Sequence, residues 1–214
     1  MQDRYDRCRI LFGDDGFAKL QKAKVLILGV GGVGGHALDC LYRSGVVDIT
    51  IVDYDHYSKS NQNRQIGSQA VGANKVDRLK ELYPTITPID QKMDIAWVES
   101  FDFLPYDIII DSADTTKVKI ELAKRVYKKL IMSLGSAKRY DSSKVEVASI
   151  WKSHGDALGR KIRYELKKAK FDRNFTVVFS PEEDRCRDKG SCIAVTGVFG
   201  LTICSETIKK ILGS

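Results

Sequence analysis

The chain has 214 residues, 43% of them hydrophobic and 9% aromatic, enough for one large domain with a full core. Lys and Arg number 35 against 28 acidic residues, and the net charge of +7 favours polyanionic partners. No run of about 18 apolar residues could cross a membrane, the start has no apolar leader, and five spread cysteines without a Cys-x-x-Cys pair argue against a disulfide framework or a four-thiolate zinc site, so a soluble cytoplasmic protein is expected.

Residues 1–23 are expected to form a helical arm, 24–138 a nucleotide-binding core, and 139–214 a C-terminal extension of the same body. Lys24-Val25-Leu26-Ile27-Leu28-Gly29 is a continuous β-rich run, the pattern of a strand covered on both faces. A glycine-rich turn follows, then a helix with Ala37, Leu38, Leu41 and Tyr42 on one face, which Gly45 terminates. Asp48 to Asp53 is the next strand, completing a βαβ unit of about 30 residues. Val71 to Leu82 is predicted as a helix ended by Pro84. Ile108-Ile109-Ile110 is a buried strand. Val118, Leu122 and Val126 then form the apolar stripe of a helix whose other face carries Lys117, Lys119, Lys124 and Lys128. Leu130 to Leu134 is another strand. The alternation predicts an α/β, Rossmann-like, doubly wound and mainly parallel sheet, with a C-terminal β/α extension. In that extension Val145 to Ile150 alternates as a strand with one solvated face. A basic amphipathic helix with Leu158, Ile162 and Leu166 inward, a strand at Thr176 to Phe179, and a closing helix from Val195 to Leu212 complete the chain.

Gly29-Val30-Gly31-Gly32-Val33-Gly34 falls between strand and helix. There glycine amides approach phosphates and the helix N-terminus adds positive charge. Asp53 follows by about 20 residues, where a carboxylate accepts from ribose hydroxyls. Alone, these residues spell a dehydrogenase as readily as any other nucleotide binder, and a turn that merely permits tight packing is the plainer alternative. The next segment decides between them. After Asp53-Tyr54-Asp55 come Ser60-Asn61-Gln62-Asn63-Arg64-Gln65 and Val71-Gly72-Ala73-Asn74-Lys75. Cations here serve no hydride chemistry, whereas activation of a carboxylate by ATP needs them: attack on the α-phosphate expels pyrophosphate, and the added charge must be met by Arg, Lys and Mg²⁺. Asp114, just past a strand end, suits the metal; its plainer role is to cap the helix beginning near Thr115.

Arg4-Tyr5-Asp6-Arg7, the glycine run, Asp53-x-Asp55, Asn61-x-x-Arg64-Gln65, Val71-Gly72-x-x-Lys75 and Asp111-x-x-Asp114 stand in that order. In this the chain resembles the ThiF/MoeB/HesA adenylating superfamily, relatives of the ubiquitin-activating enzymes. Gly155-Asp156-Ala157-Leu158, Arg163-x-Glu165-Leu166-Lys167-Lys168, Val177 to Glu183 and Gly190-Ser191 resemble its tRNA threonylcarbamoyladenosine dehydratase branch. The loop between Arg64 and Lys75 is shorter than the family pattern. The zinc-binding cysteine pairs of the sulfur-carrier activators are absent.

The resemblance implies ATP and Mg²⁺ as cofactors and a tRNA substrate. It implies that Gly29, Gly31, Gly32 and Gly34 lie along the phosphates and that Asp53 holds the ribose, with Asp55 and Gln65 as further nucleotide contacts. Asn61, Arg64 and Lys75 are expected around the α- to γ-phosphates, and Asp114 beside Mg²⁺. Arg7, which is a surface arginine on its plainer reading, is expected to reach the ATP of a partner subunit, so that Arg7, Arg64, Lys75 and Asp114 form the catalytic set of a homodimer. The implied reaction adenylates the threonyl carboxylate of N6-threonylcarbamoyladenosine and closes it onto the carbamoyl group; sulfur-transfer proteins are possible accessories. The alternatives are an activator of a ubiquitin-like or sulfur-carrier protein, and a non-catalytic nucleotide- or tRNA-binding module. Arg160, Lys161, Arg163, Lys167 and Lys168 are a tRNA contact or a solvated face, and both readings stay open. Cys192 opens the last helix, where a thiolate is favoured, yet a buried structural role is expected for it as for Cys40 and Cys204. His36, His56 and His154 show no ligand spacing.

Overall fold

The computed structural model describes residues 3–213. In chain order the elements are α1 (Asp6–Lys22), β1 (Lys24–Leu28), α2 (Gly34–Arg43), β2 (Asp48–Asp53), α3 (Lys75–Leu82), β3 (Thr87–Asp90), α4 (Ile95–Ser100), β4 (Ile108–Asp111), α5 (Thr116–Val126), β5 (Leu130–Ser133), β6 (Glu146–Ser149), α6 (Ala157–Lys168), β7 (Thr176–Phe179) and α7 (Ile193–Leu212). The strands form a seven-stranded sheet in the order β3-β2-β1-β4-β5-β7-β6. Every neighbouring pair is parallel except β6 against β7.

The apolar runs lie at the centre because neither face of those strands meets water. Along β1, Val25 and Ile27 join one apolar layer with Leu20, Leu38, Leu41, Leu79, Phe199 and Ile203, from α1, α2, α3 and α7. Leu26 and Leu28 point the other way, to Val98, Val118, Leu122, Ile162 and Leu166 from α4, α5 and α6. A residue spacing of two along the strand thus feeds two cores. Helices α2 and α7 approach closely because a Cβ on Gly200 would sit 2.6 Å from the Val33 carbonyl oxygen. The turn after α2 closes as expected: Gly45 has φ +104°, and the Val46 amide donates to the Leu41 carbonyl at 3.1 Å.

Three departures from the sequence expectations have local causes. Helix α3 begins at Lys75, not Val71. Gly72 has φ +89°, and the Asn74 side chain caps the helix by accepting from the Val76 and Asp77 amides. Lys119 is not on the solvent face of α5. Its side chain is 1% exposed and its ammonium is 3.2 Å from Asp111 and 2.9 Å from the Ser133 carbonyl oxygen. Strand β3 and helix α4 carried no clear pattern; β3 contains Pro88, which an edge strand tolerates.

Candidate active site

Strand order reverses at β1, since α2 carries the chain to β2 on one side while β4 lies on the other. A crevice at the carboxyl ends of these strands is where open α/β sheets bind ligands. A cleft of about 650 Å³ occupies that position, running from Asp53 and Tyr54 after β2, past the glycine turn and residues 112–116, to residues 133–137 after β5.

The glycines divide their work. Gly29, Gly31 and Gly32 line the cleft. A Cβ on Gly34 would overlap the Gly29 carbonyl oxygen and Ser112 Oγ, and Gly29, at φ +83°, lies against the Ala113 backbone. Gly34 is outside the cleft wall; it lets the turn lie close to the loop after β4. Asp53 is buried, and its carboxylate accepts from the Val30 amide at 2.8 Å and the Asp55 amide at 2.9 Å. It therefore ties the glycine turn to the end of β2. Asp55 is the more open carboxylate, 49% exposed, and pairs at 3.0 Å with Lys75, which is 6% exposed.

Asn61, Arg64, Gln65 and Lys75 all reach the cleft wall. Arg64 lies over Gly32, with Nη1 donating to the Ser60 carbonyl and Asn63 Oδ1, while its own carbonyl meets His36 Nε2 at 3.1 Å. Asn61 Oδ1 accepts from the Ser58 amide, closing the turn that presents Arg64. Gln65 is buried beside Gly31, and its Oε1 has no hydrogen-bond partner among the described residues. Asp114 is exposed on the wall and makes no hydrogen bond or ion pair among the described residues; Thr115, not Asp114, holds the N-cap position of α5. Arg7 is exposed on α1 and is not a wall residue. No group of three or more His, Cys, Asp or Glu side chains gathers for a metal among the described residues.

Two buried ionic groups hold the cleft from beneath. The Asp111–Lys119 pair anchors the loop bearing Asp114; burial raises the Asp111 carboxyl above its usual value despite the ammonium beside it. On the extension side, Arg139 pairs with Asp156 at 3.1 Å and donates to the Glu182 and Gly135 carbonyls. Asp156 also caps α6 through the Gly159 amide at 2.6 Å, and burial raises its carboxyl too. Sequence reasoning missed Tyr54, Lys92, Met93, Ser136 and Lys189 on the wall. Tyr54 fills the unspecified middle position of Asp53-x-Asp55, the other four belong to no quoted motif, and the strand leading to Lys92 was itself unrecognised. Along α6, Arg160, Lys161, Lys167 and Lys168 are exposed around an exposed Tyr164, whereas Arg163 is turned onto Ser153 Oγ. Cys192 is half-buried, Cys204 is buried, and Cys40 packs against the core that includes Cys204.

The model of the family described as ThiF matches residues 5–214. The chain belongs to the ThiF family. Among its ThiF-family relatives, the Bacillus subtilis tRNA threonylcarbamoyladenosine dehydratase is 35% identical over 194 residues, 85% of this chain and 76% of that protein. The Escherichia coli K12 protein of the same name is 25% identical over 252 residues, 99% of this chain and 94% of that one. The E. coli enzyme solved with AMP superposes with a TM-score of 0.90 at 26% identity, covering 98% of this chain and 94% of that one. Its complex with ATP also gives a TM-score of 0.90, at 27% identity over the same shares. No helix among the described residues is long and apolar enough to cross a membrane.

Proposed function

We propose that this protein is an ATP-dependent tRNA threonylcarbamoyladenosine dehydratase. The observation that carries the proposal is the convergence, at the strand-order reversal, of a glycine turn, Arg64, Lys75 and an uncommitted Asp114, in a chain whose relatives bear that name. The residues fit ATP: Gln65 Oε1 is a buried acceptor awaiting a donor, and Gly31 and Gly32 leave backbone open to phosphate. They also fit Mg²⁺, which takes one or two carboxylates plus phosphate oxygens rather than an all-protein cage. Asp114 would hold it; when bound, the ion neutralises charge on the phosphates.

Asp55 and Asp53 sit at the ribose end, and Asn61, Arg64 and Lys75 face the phosphates. The threonyl carboxylate of the modified adenosine attacks the α-phosphate; the bond to pyrophosphate breaks and the pair of electrons leaves with it. Arg64 and Lys75 meet the charge that develops there. A carbamoyl nitrogen or oxygen then attacks the acyl carbon, the bond to AMP breaks, and the carbamoyl N–H proton is released, so one water is lost overall. The captor is tethered to its target, so no protein nucleophile is needed. The exposed cations of α6 contact tRNA phosphates, and Arg7 serves the site of a second subunit in a homodimer.

Incubation with ATP, Mg²⁺ and modified tRNA, followed by digestion and weighing of the nucleosides, should show the modified adenosine lighter by one water. Asp114→Ala should lower ATP–pyrophosphate exchange by about a hundredfold or more. Tight uptake of a nicotinamide coenzyme, with no binding of ATP, would refute the proposal.

A further inference from the structure

The cleft is longer than its nucleotide half. The groups suited to ATP belong to β2, β1 and β4, and the cleft continues past them over the carboxyl end of β5, roughly 5 Å per strand further along the sheet. That second half is walled by Ser133, Leu134, Gly135, Ser136 and Ala137 below, Leu158 of α6 at the side, and Lys189 and Ser191 at the rim. Small, apolar and hydroxyl-bearing surfaces of this kind suit a flat base carrying a short polar substituent.

The rim is built rather than loose. Asn63 Nδ2 donates to the Ser191 carbonyl at 2.8 Å, tying it to the Arg64 turn. The Lys138 amide donates to the Gly190 carbonyl at 2.7 Å and the Arg185 amide to the Lys138 carbonyl at 3.0 Å, tying it to the loop after β5. Beneath these, the buried Arg139–Asp156 pair and Glu182, which accepts from the Asp141 amide at 3.0 Å, fix the loops around residues 135–141, 156 and 182. Lys189 therefore stands on the rim of the β5 half, in a segment tied to the Arg64 turn.

Charge decides what Lys189 receives. The cations on the cleft wall are Arg64, Lys75, Lys92 and Lys189. Lys75 is paired with Asp55, Arg64 covers the glycine turn, and Lys92 lies 5.5 Å from the Tyr54 ring at the opposite end. Lys189 is exposed, has no hydrogen bond or ion pair among the described residues, and is the sole cation of the β5 half. Arg139 is already spent on buried partners. Two anions must meet for adenylation, a phosphate and a carboxylate, and the phosphates already have two cations, glycine amides and Asp114 with its metal.

We infer that the β5 half of the cleft seats the modified nucleoside and that Lys189 binds its threonyl carboxylate, steering one oxygen toward the α-phosphate. The inference rests on the dehydratase function proposed above. Lys189→Ala, Lys189→Arg and Lys189→Glu test it, with calorimetry for ATP·Mg²⁺, steady-state kinetics on modified tRNA, and binding of the same tRNA lacking the modification. Loss of one charge-assisted hydrogen bond should raise KM for modified tRNA roughly ten- to hundredfold in the Ala variant. The Arg variant should recover part of the loss and the Glu variant should be worse than Ala. ATP affinity and binding of unmodified tRNA should stay at the wild-type level. An unchanged KM, a parallel loss of ATP affinity, or a parallel loss of unmodified-tRNA binding would each overturn the assignment. A wild-type protein yielding no dehydrated nucleoside would overturn the dehydratase function itself; an active wild type matched by Lys189→Ala would overturn this inference alone. Lys189 is exposed, so its substitutions remove no buried contact.

Discussion

Lys119 looks like a solvent lysine in the sequence, one of three along α5, and is among the largest fully buried side chains of the described residues. Its ammonium is held by Asp111 and the Ser133 carbonyl, so it joins the ends of β4 and β5 directly under the cleft. Removing it would leave Asp111 buried and unpaired. Lys119→Ala is expected to cost about 3–5 kcal/mol, measured by urea unfolding at neutral pH. The pH dependence follows from the raised carboxyl of Asp111. A carboxyl whose folded value lies above its unfolded one contributes stability at low pH and loses it as pH rises through the folded value. The penalty of Lys119→Ala should therefore shrink toward acid pH, where protonation removes the unpaired charge. A penalty constant with pH would mean that lost packing, not lost pairing, dominates.

At the scale of elements, the position of a cation proposed to act in catalysis depends on a cap. Lys75 is the first residue of α3, and Asn74 supplies the side-chain oxygen that stops the helix from extending backward. The Lys75 amide donates to the Asp55 carbonyl at 3.0 Å, so backbone and side chain both bind it to the end of β2. Asn74→Ala should cost about 1 kcal/mol, lowering Tm by about 2–4 °C in a chain of this size. It should also weaken ATP binding, since the first turn carries Lys75. A thermal scan paired with ATP calorimetry checks this; lost stability with unaltered affinity would show that Asp55 alone holds the cation. The same cap explains why periodicity placed the helix start at Val71. Apolar spacing reports which residues face a core, but the end of a helix is set by local backbone geometry.

For the whole molecule, the decisive question is whether a site is completed by another copy. Arg7 stands on an arm outside the cleft of its own subunit, beside Ile10 and Leu11, which are 84% and 75% exposed. If the arm serves a partner's site, Arg7→Ala and Asp114→Ala proteins, each inactive alone, should regain activity on mixing. Random pairing would put one intact site in half of the dimers, so recovery should approach about a quarter of wild type. No recovery under conditions where subunits exchange would place Arg7 outside the catalytic set.

The alternation of strands and helices, apart from β3 and α4, and the gathering of the glycine turn with Asn61, Arg64, Gln65, Lys75 and Asp114 were legible in the amino-acid order. Each depends on contacts within a few residues or on a motif whose spacing encodes one turn. Lys119, Arg139, Asp156 and Lys189 were not legible as parts of a site, although Asp156 lay inside a quoted motif. Their environments are made by segments far apart in the chain: β4 with β5, the loop after β5 with α6 and β7, and the rim before α7 with the turn at Asn63. Burial and pairing of a charge are properties of what the fold brings alongside it. Sequence alone therefore determined the fold class and the part of the cleft beside the glycine turn, while tertiary packing decided which charges lie beneath the site and which one stands free above its far half.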